Sequence, residues 1–61
     1  MLEMLREMGW LVVEVDGLSA LATIVQSAGV VLIRPGASSE DHARVVYSVL
    51  MDPALRPERQ P

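Results

Sequence analysis

The sequence predicts a small α+β domain: a helix, a three-stranded and mainly antiparallel sheet, a second helix and a disordered tail. Three observations carry that prediction. Val30 to Arg34 is a continuous apolar run closed by Pro35-Gly36, which reads as a buried strand with a stop signal. Ser38-Ser39-Glu40-Asp41 reads as a capped helix start, with a hydroxyl for the orphan N–H groups and carboxylates where the helix dipole favours them. Trp10 to Asp16 is rich in β-branched residues that alternate with polar ones, the signature of a half-wet strand. The domain is expected over residues 1–53 and the tail over 54–61.

Met1 to Met8 reads as a short helix. Leu2, Met4, Leu5 and Met8 make its apolar stripe, and Glu3, Arg6 and Glu7 its charged face. Eight residues are too few for a stable isolated helix, so this one must dock. Gly9 is placed to cap it. In the first strand Leu11, Val13 and Val15 share one face and Val12, Glu14 and Asp16 the other, so the first set is expected to be buried. Asp16-Gly17 is then a turn.

Leu18 to Ala28 supports two readings. As a helix, Leu18, Leu21, Ala22 and Val25 form a stripe capped by Gly29, which gives a β-α-β-α chain with a parallel strand pair. As a strand, Ala20 to Gln26 supplies Thr, Ile and Val in alternation, which gives a meander with a second turn at Ser27-Ala28-Gly29. Val30 to Arg34 takes the central place in either arrangement. The second helix runs from Ser38 or Ser39 to about Met51, with Asp41 at the third position if Ser38 is the cap. Ala43, Val45, Val46, Val49 and Leu50 form its apolar arc, and His42 falls within it. Asp52-Pro53 ends it, because the residue before proline avoids helical geometry. Ala54 to Pro61 has no periodicity and is expected to be disordered.

Composition narrows the function. The chain has 61 residues, half of them apolar, with no Cys, one Trp, one Tyr and no Phe. A core of Val, Leu, Ile, Ala and Met follows. A chain this short buries only about 60% of its unfolded surface and usually needs a staple or a partner. Disulfides and thiolate metal sites are excluded by the missing Cys, and a His-pair metal site by the single His42. The net charge is −3 and Lys is absent, which argues against nucleic acid as a partner. No apolar run approaches the ~18 residues of a membrane span, and the acidic start is unlike a signal peptide. Cytoplasmic location is expected.

The sequence offers little catalytic chemistry. Each Gly is isolated and reads as a turn or cap. Ser38, Ser39 and His42 are accounted for by capping and one helical turn, and Glu14 and Asp16 by a wet strand face. No catalytic, metal or cofactor residues are assigned. The four methionines suit gap-filling or interface contacts.

The order of these elements is similar to the N-terminal half of the ImmA/IrrE family of zincin-like metallopeptidases. The likeness covers Leu5 to Asp52 and rests on LREMGWLVVEVDGL, VVLIRPG, Ser38, Glu40-Asp41 and Val45 to Leu50. It implies the meander for Leu18 to Ala28. The family's HExxH zinc motif, two imidazoles one turn apart with a Glu as base, falls here on Ser48, Val49 and Asp52. The resemblance thus implies a truncated, metal-free relative, with a regulatory role in a mobile element or stress response. The expected function is a non-catalytic protein–protein interaction, with itself as a homo-oligomer or with a protein partner. A structural subunit of a virion or multisubunit complex is the alternative. The surface expected to carry the interaction is Arg44, Tyr47 and Met51, joined by Met4 and Met8.

Overall fold

The computed structural model describes residues 1–58. The elements run α1 (Glu3–Glu7), β1 (Leu11–Glu14), β2 (Ala22–Val25), a 3₁₀ turn (Gln26–Ala28), β3 (Val30–Ile33) and α2 (Ser39–Leu50). This is the expected α+β class, and Leu18 to Ala28 contributes a strand rather than a helix.

The strand order is β1-β3-β2. β2 pairs antiparallel with β3, whereas β1 pairs parallel with it. The sheet is therefore mixed. The meander is corrected in one respect: β1 and β2 are not neighbours, because β3 lies between them. Its sequence VVLI is the only strand with no polar residue, so it loses most by standing at a wet edge. β1 carries Glu14 and β2 carries Thr23, which edges tolerate. β1 and β2 both meet Ile33, at Glu14 and Ala22 respectively. Asp16 to Leu21 therefore crosses the end of β3, and the 3₁₀ turn brings the chain back up the middle. Gly29 closes that turn in the left-handed region at φ 66°, where a Cβ would be strained.

α2 begins as its sequence predicts. Asp41 N–H donates to Ser38 Oγ at 3.1 Å, and Ser38 N–H donates to Asp41 Oδ2 at 3.4 Å. This reciprocal capping box satisfies two donors that the helix cannot satisfy itself.

The core consists of Leu5, Trp10, Val31, Ile33, Val45, Val46 and Val49, with Leu2, Val12, Ala22, Ile24 and Leu55 packed against it. Leu5 of α1 and the valines of α2 thus reach the same side of the sheet, and the domain has two layers. Three expectations about this core are corrected. Val12 faces it, while Leu11 is 50% and Val13 37% exposed. Alternation separates two faces but cannot say which one is covered, and here the tighter apolar set of β3 and β2 decides. Leu50 lies outside the buried arc of α2, and all four methionines are exposed. Their places are taken by Trp10, the largest buried side chain and 2% exposed. Its indole Nε1 finds no acceptor among the described residues.

The disordered tail is also revised as far as Glu58. Leu55 packs on the core, Gln26 Nε2 donates to the Ala54 carbonyl and Glu58 N–H donates to the Gln26 carbonyl, each at 3.0 Å. The rest of that predicted tail, 59–61, lies outside the described residues.

Candidate interaction surface

Two helices on one face leave the other face of the sheet without a helix: Leu11, Val13 and Thr23 there are exposed and Val25, Val30 and Leu32 half-buried. Side chains alternate across a strand. With Val12, Ala22, Ile24, Val31 and Ile33 turned to the core, the register places Leu11, Val13, Thr23, Val25, Val30 and Leu32 on the opposite face. Thr23 is the only one of these with a polar group. None of the six belongs to the core cluster. In an antiparallel sheet with one solvated face those positions are ordinarily polar.

A second apolar area lies on the helix side. Met4 and Met8 are exposed on α1, one helical turn apart. Tyr47 and Met51 are 64% and 63% exposed at the end of α2, also one turn apart, with Leu50 between them. Met8 and Leu50 line a common open groove of about 490 Å³, closed along one side by Leu55, Arg56 and Pro57. Of the five residues expected to act together, only Met8 lines this groove, and Arg44 lies elsewhere. It lines a separate slot of about 230 Å³ between α2 and β2, together with Leu21, Ala22, Ile24, Val45 and Ser48. Its guanidinium meets Glu40 at 3.2 Å in an exposed pair, a contact worth little in water.

Leu11 and Val13 were not expected at a surface. Only the absence of polar residues on either face of β3 hinted at it, and a strand buried on both faces has the same sequence. The groove by Leu55 to Pro57 was hidden because that segment has no periodicity to read.

The positions aligned with a zinc motif are all engaged structurally. Ser48 Oγ donates to the Arg44 carbonyl at 2.9 Å. Val49 is buried in the core. Asp52 Oδ1 accepts the Ala54 N–H at 3.1 Å. Among the described residues no group of three or more His, Asp or Glu is placed to hold a metal ion. Nor is any helix there long and apolar enough to cross a membrane. The carboxyl of Glu3 is displaced by a neighbour. It sits 2.6 Å from the N-terminal ammonium, whose hydrogen bond and charge hold it below the usual range.

Compared with protein-family models, with curated proteins and with solved structures, the chain matches none.

Proposed function

We propose that this chain is a non-catalytic protein-interaction module whose first partner is a second copy of itself. The observation that carries this reading is the apolar face of the sheet that no helix covers. A small domain with Leu11 and Val13 exposed and Val25, Val30 and Leu32 only half-buried on the face away from its core leaves area in water that association would remove, at about 25 cal/mol per Å². Exposed Met4, Met8, Leu50 and Met51 add flexible apolar groups of the kind that adapt to a partner. The resemblance to the ImmA/IrrE family suggests a regulatory setting. In that setting a chain with Ser48, Val49 and Asp52 in place of the zinc motif acts by contact.

Sedimentation equilibrium from micromolar to millimolar concentration tests the reading. A closed dimer or higher oligomer with native far-UV circular dichroism is expected. A folded monomer over the whole range overturns it. Zinc is a second probe: a calorimetric titration without heat is expected, and stoichiometric binding would restore the metallopeptidase reading.

A further inference from the structure

The two edges of the sheet are not equivalent. Arg34 N–H donates to the Leu21 carbonyl at 3.0 Å. Leu21 and Arg34 are therefore a hydrogen-bonded pair of the antiparallel ladder, and such pairs alternate with non-bonded ones. With Ala22 opposite Ile33 and Ile24 opposite Val31, the N–H and C=O groups of Ala22 and Ile24 point away from β3, off the open edge. At the other edge Leu11 N–H donates to Gly29 and Val15 N–H to Ile33. Alternation then turns Val12 and Glu14 outward. That edge is guarded, because Glu14 sits in it and Asp16 follows. Two copies meeting there would bring like charges together, a common protection of edge strands.

β2 has no such guard. It contains no proline, and no charged residue lies between Asp16 and Arg34. In a chain of net charge −3 this strand carries no carboxylate of its own, and the charged group beside its edge is Arg44, which lines the slot next to Ala22 and Ile24 and is paired with Glu40. The edge is also self-complementary. The two outward-facing residues flank Thr23 symmetrically, so an antiparallel pairing with its two-fold axis at Thr23 sets Ala22 of each copy against Ile24 of the other. The small side chain then meets the large one beside the slot that both residues line with Val45 and Ser48. The ladder stops at Gln26, whose carbonyl already accepts N–H groups from Gly29 and Glu58.

We infer that two copies join through the free edge of β2, antiparallel about Thr23, into one continuous sheet. This rests on the self-association proposed above but places it at the sheet edge, and the pairing leaves the apolar face of both copies on one side of the continuous sheet, open to a further contact. Thr23 is exposed and faces away from the core. At the axis the two Thr23 residues form a non-bonded pair, where Cα atoms lie about 4.5 Å apart. A disulfide spans roughly 4.4–6.8 Å, and the natural chain has no Cys to compete.

The test uses the full chain with Thr23→Cys, Leu11→Cys as a control on the outer face of β1, and Thr23→Asp. Under mild oxidation, Thr23→Cys is expected to give a covalent dimer in near-complete yield and Leu11→Cys little. Thr23→Asp is expected to sediment as a folded monomer with unchanged circular dichroism. If the natural chain is an oligomer, yet Thr23→Asp stays associated and Thr23→Cys does not cross-link, the β2 edge is overturned and self-association survives. If the natural chain is monomeric at every concentration, both fall. Should Thr23→Asp fail to fold, the cross-linking pair still decides, because neither cysteine introduces a charge.

Discussion

Glu58 donates its backbone N–H to the Gln26 carbonyl at 3.0 Å, tying the C-terminal segment to the end of β2. The same segment places Leu55 on the core and sets Pro57 beside Gly9. A Cβ on Gly9 would meet Pro57 Cγ at 3.3 Å, and Gly9 sits at φ 99°. Residues that look like a tail thus complete the lower end of the domain.

Leu55→Ala is therefore expected to cost about 1–2 kcal/mol, half the usual loss for a fully buried leucine, since Leu55 is only half buried. Chemical denaturation monitored by Trp10 fluorescence measures it. An unchanged midpoint would return the segment to a free tail.

The face of β1 that meets the core is tested by one polar swap at adjacent positions. Val12→Thr introduces a hydroxyl against the core and is expected to cost about 1–2 kcal/mol. Val13→Thr places the same hydroxyl on the open face and is expected to stay within about 0.5 kcal/mol. The reverse order, read from urea midpoints, would show that Leu11 and Val13 are the buried set.

The capping box predicts a measurable helix penalty. Ser38→Ala removes the acceptor for Asp41 N–H and is expected to lower stability by about 1 kcal/mol. In a domain of this size that is a fall of roughly 4–8 °C in Tm, read by far-UV circular dichroism. Ser38→Asp, which keeps an acceptor at the cap, is expected to restore most of it.

Val49 gives a sharp contrast with a metallopeptidase helix. At that position a general base would have to face an open cleft, whereas Val49 is 1% exposed. Val49→Glu buries a carboxyl without a partner and is expected to cost about 3 kcal/mol or more. That is a large share of the ~3–9 kcal/mol a domain this size commands, and the unfolded fraction is expected to rise about a hundredfold or more. Retained stability, with zinc binding in a Ser48→His, Val49→Glu, Asp52→His variant, would show that the helix tolerates the site.

Local signals were read correctly because their physics is local. The Ser38 box depends on residues three apart. The stops at Asp16-Gly17 and Pro35-Gly36 depend on backbone freedom, and the place of β3 depends on its lack of polar side chains. The candidate surface was legible only in part. Met4, Met8, Tyr47 and Met51 are exposed as expected, but Arg44 faces a different slot, and Leu11 and Val13 were assigned to the core.

The sequence by itself determined roughly where α1, β1, β3 and α2 lie, and that α2 is capped and amphipathic, while Leu18 to Ala28 stayed open between helix and strand. It also determined that β3 is the strand least able to stand at an edge. Tertiary structure decided which face of the sheet the helices cover, which strands are neighbours and where Ala54 to Glu58 lie. Alternation gives a strand two distinguishable faces, but only the packing of Leu5, Trp10 and the α2 valines against Val31 and Ile33 selects one. Having selected it, that packing leaves the opposite face of β1, β2 and β3, and the uncharged edge of β2, turned outward.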